Sequence, residues 1–318
     1  MTCVLVTGGT GFIGAALLKK IKCDERFNIS ASVRDSRLLL GMHTHTVPDL
    51  NAETYWLSAL DGIDVVIHTA ARVHVMQDSS SDPLTEFRKV NVEGTLNLAR
   101  QAATSGVKRF VFLSSIKVNG EGTEPGKPYK PDDIPDPKDY YGISKMEAER
   151  ALLELAEQEQ MDVVIIRPVL VYGPGVKANF LSMIRWLNRG IPLPLGAIHN
   201  KRSLVCLDNL ISLIITCVDH PAAANQIFLV SDGEDLSTTQ LLARILKALN
   251  KPSRLIPIPS WVLEFVAGLL GKRDFSKRLC GSLQVDINKT RELLNWAPAV
   301  SVDQALSETV NNFLEQDK

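Results

Sequence analysis

The chain has 318 residues, of which 45% are hydrophobic and 22% charged, with a formal net charge of −1. That is length for one large domain or two modest ones around a substantial core. A charge balance this even gives no reason to expect nucleic acid or an anionic membrane as partner.

"MTCVLVTGG" runs straight into a strand with no basic segment ahead of it, so it is not a secretory signal, and a cytoplasmic location is expected. "CVLVT" (3–7) ends at glycines, and "FIGAALLKKIK" (12–22) follows with helical periodicity. "NISASVR" (28–34) reads as a strand. "HTH" (43–45) has no companion ligand cluster and reads as a surface loop, so no metal is expected. "DVVIHTAA" (64–71) is a strand and "EFRKVNVEGTLNLARQAA" (86–103) a helix. "RFVFLSS" (109–115) is a strand, "YYGISKMEAERALLELAEQE" (140–159) a helix, and "DVVIIRP" (162–168) a strand.

Strands that are apolar throughout have helices on both faces, so repeated β-α units predict an α/β fold with a doubly wound parallel sheet of Rossmann type. After Arg167 the chain becomes rich in Pro and Gly. Residues 1–169 are expected to form the dinucleotide-binding domain, with 203–228 returning to it as a strand and a helix. Residues 170–202 and 229–318 would form a smaller α/β substrate lobe. The longest apolar run, "WVLEFVAGLLG" (261–271), is too short to span a membrane, carries Glu264, and reads as a buried helix in preference to an interfacial segment. The five cysteines are widely spaced without a C-x-x-C pair, as expected of reduced thiols.

Two constellations carry chemistry. "TGGTGFIG" (7–14) lies between the first strand and the first helix and satisfies both common glycine spacings. Its glycines allow a tight turn and close approach of a pyrophosphate to the helix N-terminus, so Gly8, Gly11, Phe12, Ile13 and Gly14 are assigned to cofactor binding. At the end of the second strand an acid would hold a ribose hydroxyl and an arginine a 2′-phosphate. Arg34 stands there, so NADP(H) is preferred over NAD(H); stacking of Arg34 on adenine, with either cofactor accepted, is the rival. In "KDYYGISK" (138–145), Tyr141 and Lys145 are four residues apart and share a helix face, whereas Tyr140 has no such partner. A nearby ammonium and a cationic nicotinamide favour phenolate, lowering a pKa that is ordinarily near 10. "LSS" (113–115) ends the preceding strand on the same sheet edge, bringing a serine beside the phenol.

With these motifs the chain resembles the extended short-chain dehydrogenases/reductases, in the UDP-glucose 4-epimerase-like (NAD-dependent epimerase/dehydratase) branch. "TGGTGFIG", "VIHTAA", "VNVEGT", "FLSSIKVNG", "YGISK", "IIRPVLVYGPG", "RSLVCLDNL" and "DINKTRELLNWAP" follow that family's order over essentially the whole chain. The resemblance implies catalytic roles for Ser115, Tyr141 and Lys145. It implies cofactor contacts for Asp49, Leu50, Ala70, Ala71, Asn91, Lys145 and Pro168. It also implies sugar-nucleotide contacts for Ser115, Asn179, Arg202 and Arg278, and a homodimer. Ile116 and Lys117 stand where related 4,6-dehydratases carry an Asp-Glu pair, which argues against elimination of water; Asn119 replaces a tyrosine. Strings such as "AARVHVM", "SSIKVNGEGT" and "RLCGSLQVDI" are most similar to bacterial reductases of UDP-2-acetamido-2,6-dideoxy-hexos-4-ulose. That similarity implies NAD(P)H-dependent reduction of a C4 ketone to UDP-N-acetylquinovosamine, or its C4 epimer, for O-antigen synthesis. A UDP-sugar 4-epimerase that keeps its NAD bound is the second expectation. A dinucleotide sensor ranks last, because such proteins often lose the tyrosine or lysine.

Overall fold

The computed structural model describes residues 1–35, 42–47, 49–73, 82–124, 126–269, 271 and 279–316. The first half alternates as expected: β1 (Thr2–Thr7), α1 (Phe12–Ile21), β2 (Phe27–Val33), β3 (His43–Thr46), α2 (Leu57–Leu60), β4 (Val65–His68), α3 (Pro83–Arg88), a π-helical turn (Lys89–Gly94), α4 (Thr95–Thr104), β5 (Arg109–Leu113), α5 (Tyr140–Gln158) and β6 (Asp162–Pro168). The second half holds β7 (Leu170–Tyr172), α6 (Ala178–Asn188), β8 (Arg202–Cys206), α7 (Leu207–Asp219), β9 (Gln226–Val230), β10 (Asp235–Leu236), α8 (Thr238–Ala248), α9 (Ser260–Leu269), α10 (Asn288–Leu294) and α11 (Val302–Gln316).

Seven strands pair in the order β3-β2-β1-β4-β5-β6-β9, all parallel. The order runs outward from β1 in both directions. This places a switch point between β1 and β4, where neighbouring connections leave to opposite faces and a crevice opens at the strands' C-terminal ends. One apolar layer packs α1 and α7 on the sheet through Leu17, Leu18, Leu210 and Ile214. The opposite layer packs α2, α4 and α5 through Trp56, Leu98, Ala102, Ala148 and Leu152. A third cluster, from Tyr172 and Phe180 to Phe313, gathers residues of the second half of the chain, and Phe12 packs against both it and the first layer.

Four expectations are corrected. Residues 43–46 are an edge strand rather than a loop: the His-Thr-His-Thr alternation pairs with Ser30–Val33, and the two imidazole centroids lie 4.7 Å apart. Among the described residues no cluster of metal-ligating side chains occurs. The helix expected at 86–103 is broken by the π-helical turn, which draws Gly94 against Leu50, where a Cβ would come within 2.9 Å of the Leu50 carbonyl carbon. Residues 203–206 do not return to the large sheet. They join a small one, β10-β8-β7, because Leu204–Cys206 pair in parallel with Leu170–Tyr172; β9 is the strand that extends the large sheet. Finally, α9 is not buried: Trp261, Phe265 and Leu269 stay 65–73% exposed. No described helix is long and apolar enough to cross a membrane.

Candidate active site

The glycine turn closes on itself through the Gly11 N–H, which donates to the Gly8 carbonyl at 2.9 Å. Gly8 has φ +73°, and a Cβ there would meet the Ala70 backbone nitrogen at 2.7 Å; a Cβ on Gly14 would land on the Gly8 carbonyl oxygen. Only glycine lets this turn lie against the end of β4. No acid occupies the first turn of α1, so its N–H groups suit an anion. These features fit a dinucleotide pyrophosphate, with Ala70 and Ala71 beside the turn. Gly14→Ala is therefore expected to weaken nicotinamide dinucleotide binding by roughly 10- to 100-fold, the range for a methyl forced into packed backbone, as read by isothermal titration.

The other cofactor candidates scatter along the same edge. Arg34 is exposed, directly after β2. Asp49 is exposed and Leu50 packs on the π-helical turn. Pro168 is buried at the end of β6, paired with Val230. Asn91 is 1% exposed, and its side chain is a bracket. It accepts from the Arg72 N–H at 2.8 Å, and its amide nitrogen donates to the Arg72 carbonyl and to Ser144 Oγ, both at 3.0 Å. The loop after β4 is thereby tied to α5 one residue before Lys145.

α5 starts at a firm cap. Asp139 accepts from the Gly142 N–H at 2.7 Å and pairs with Lys117, and Gly142 is held close to the Lys117 carbonyl. Ile116 is buried. From this start Tyr141 turns inward while Tyr140 is 50% exposed. The Tyr141 hydroxyl lies near the Ser115 side chain, and its ring meets Phe87 edge-on at 6.3 Å. The phenol expected from the sequence and the serine at the strand end are thus together. Lys145, 2% exposed, donates from Nζ to the Leu113 carbonyl at 2.7 Å and lies 4.2 Å above the Phe112 ring.

The electrostatics run against the expectation for the chain's own groups. Burial first, then the charge of Asp139, push the Tyr141 pKa up, with the Ser115 hydrogen bond opposing them. Burial pushes Lys145 down to about 7, with Glu149 opposing. An ammonium stripped of water has lost much of its charge at neutral pH, so it does not draw the phenol down. The phenol stands protonated, ready to donate.

The lysine shift fixes a pH dependence. Between about pH 7 and the free-lysine value of 10.5 the unfolded chain holds a proton that the folded chain has shed, so stability rises with pH across that window. Tyr141 acts oppositely only above its ordinary value of 10. Urea unfolding from about pH 7 to 8.5 should show this rise, below the range in which the buried Cys206 and Cys217 thiols, pushed up from 9.0 to about 12, oppose it, and Lys145→Met should flatten it.

His68 was not foreseen. Fully buried, it is hydrogen-bonded to Thr7 Oγ1 at 2.7 Å and Thr95 Oγ1 at 3.0 Å. Burial and then Lys145 hold its pKa near 3, so it is neutral. A lone histidine inside "DVVIHTAA" carries no signal of this role.

Of the substrate candidates, Asn179 is exposed in the first turn of α6. Arg202 is half-buried, donates to the Gly281 carbonyl at 3.2 Å, and has its pKa lowered by burial. Arg278 lies outside the described residues.

Comparison with known proteins agrees with this geometry. The profile described as "NAD dependent epimerase/dehydratase family" matches residues 4–231. A UDP-glucose 4-epimerase of Vibrio cholerae is 49% identical over 98% of this chain and 95% of its own length. An N-acetyl-alpha-D-glucosaminyl-diphospho-ditrans,octacis-undecaprenol 4-epimerase of Escherichia coli O157:H7 is 28% identical over 96% and 94%. Among solved structures, UDP-glucuronic acid 4-epimerase from Bacillus cereus, in complex with NAD, superposes with a TM-score of 0.81 at 19% identity, covering 100% of both chains; at that identity the match speaks for the fold.

Proposed function

Because the chain belongs to the NAD dependent epimerase/dehydratase family, we propose that it moves hydride and proton at C4 of a UDP-activated hexose. The observation that carries this is the Tyr141 phenol near the Ser115 side chain, on the helix whose buried Lys145 is held on the Leu113 carbonyl at the end of β5. A bound nicotinamide dinucleotide supplies the acceptor and donor of hydride. Ser115 orients the C4 oxygen. Tyr141 gives its proton to that oxygen when the ketone is reduced; to take the proton of the alcohol it must first be phenolate, the form that a cationic nicotinamide beside it would favour. Lys145, held on the Leu113 carbonyl, fixes the floor of the site. Gly8, Gly11 and Gly14 hold the pyrophosphate; Arg202 and Asn179 are the candidates for the sugar nucleotide's diphosphate.

Turnover as a 4-epimerase is the reading that the 49% identical relative supports. Net reduction of a UDP-4-keto-6-deoxy-N-acetylhexosamine, serving surface polysaccharide, is the second. It is favoured by the longer strings that resemble such reductases, while Ile116 and Lys117 in place of an acidic pair argue only against a dehydratase. Arg34 leaves NADP(H) a candidate beside NAD(H). The test is to incubate the purified protein with UDP-glucose or UDP-N-acetylglucosamine without added cofactor, and with the 4-keto sugar nucleotide plus NADH or NADPH, identifying products by NMR. Epimer formation without added cofactor supports the first reading, and stoichiometric consumption of reduced cofactor the second. Inertness towards all of them refutes the C4 chemistry.

A further inference from the structure

We infer that α9 docks the protein on an anionic lipid surface through the apolar stripe Trp261, Phe265 and Leu269. These three side chains are 69%, 65% and 73% exposed. They are spaced four apart, so they form one line along a single helix face. Scattered apolar residues on a surface need no explanation, but a contiguous group does. Of the fourteen large apolar side chains exposed among the described residues, six lie in two short stretches: Trp186 and Ile191, and Ile256 with the α9 stripe.

Backbone pairing brings those stretches together. The Ile256 N–H donates to the Leu193 carbonyl at 2.8 Å and the Gly196 N–H to the Ile256 carbonyl at 2.9 Å, and Ala197 bridges Pro259. This ladder runs from the end of α6 to the start of α9.

The charges around the patch choose the partner. Arg185, Arg189 and Arg254 are exposed on the same two stretches. The Arg189 guanidinium lies 5.6 Å from the Trp186 ring, and Arg254 donates to the Gly190 carbonyl at 3.1 Å. α9 carries one acid, Glu264, exposed as well, against these three arginines. Apolar side chains with tryptophan among them and arginines at the border match an interfacial helix, whose rings sit at headgroup depth while its cations meet lipid phosphates. Ten residues make a helix of about 15 Å, about half the hydrocarbon thickness, so α9 can lie on a bilayer and cannot cross it. A second copy of the chain is a poor occupant. A two-fold interface sets each patch against itself, which would bring these arginines together. The near-zero net charge hid this feature because it sums over the whole surface while docking reads one face.

The inference is independent of the sugar-nucleotide chemistry, and its test needs no substrate. The purified full chain is sedimented with vesicles of phosphatidylcholine alone and of phosphatidylcholine mixed with phosphatidylglycerol. Binding to the mixed vesicles at low salt, weakened at high salt and by omission of phosphatidylglycerol, is expected. Brominated lipid should quench the exposed Trp186 and Trp261 and spare Trp56 and Trp296, which are 2% and 5% exposed; this reading uses the wild-type protein alone. The triple variant Trp261→Ser, Phe265→Ser, Leu269→Ser should partition on the order of 100-fold more weakly, with its circular dichroism unchanged. The proposal is overturned if the mixed vesicles fail to bind the wild type, or if the triple variant binds them equally well. It is overturned too if the stripe proves to hold two copies together, so that the variant loses only its dimer by light scattering.

Discussion

Replacing Tyr141 with phenylalanine is expected to lower kcat by about 10²- to 10⁴-fold, the usual contribution of a positioned proton donor and acceptor, while leaving nicotinamide dinucleotide affinity nearly unchanged. The split follows from the geometry. The phenylalanine ring keeps the edge contact with Phe87, and the glycine turn is untouched, but the hydroxyl near Ser115 is gone. No described neighbour replaces it: Tyr140 points to solvent, and His68 is neutral and committed to Thr7 and Thr95. Titration of dinucleotide binding together with turnover of the C4 substrate checks both halves. If turnover survives the substitution, the catalytic assignment is wrong whatever the fold.

Arg167→Met is expected to destabilise the protein by about 3–5 kcal/mol, the range for removing one partner of a buried ion pair. Arg167 and Glu149 are 2% and 3% exposed. The guanidinium donates from Nη2 to Glu149 Oε2 at 2.6 Å and from Nε to Oε1 at 3.0 Å, and its other nitrogen reaches Asn119 Oδ1 at 3.0 Å. Without it the Glu149 carboxylate is left in the core with only the Ser114 hydroxyl. Stability is read from urea unfolding. The double variant Arg167→Met, Glu149→Leu should recover most of the loss, because an apolar pair of similar volume removes the stranded charge. The network also bears on the site: Ser114 precedes Ser115, and Glu149 is one helical turn beyond Lys145. Activity should therefore fall further in the single variant than in the double.

The parallel sheet was legible because strands covered on both faces must be apolar throughout, as "DVVIH" and "DVVII" are, and because helices between them show their own period. Tyr141, Lys145, Ser115 and the glycine turn were legible for a related reason: their chemistry depends on local spacing, on one helix face or one strand-to-helix turn. Asn119, which the sequence shows only as standing in place of a tyrosine, is a partner of buried Arg167. Asn91 was singled out only through the resemblance of "VNVEGT", while His68 and the Arg167–Glu149 pair had no local signature, since each acts on residues brought near only by folding.

What the sequence determined by itself is the alternation of elements, the glycine turn between β1 and α1, and the helix that carries Tyr141 and Lys145 on one face, because these are set over stretches of a few residues by backbone geometry and side-chain periodicity. Only the tertiary structure decided that Lys145 is dried to a pKa of about 7, that residues 202–206 pair with 170–172 in the small sheet, and that the apolar face of α9 points outward. Burial and strand partnership depend on which distant surfaces meet, and a residue's neighbours along the chain do not specify that.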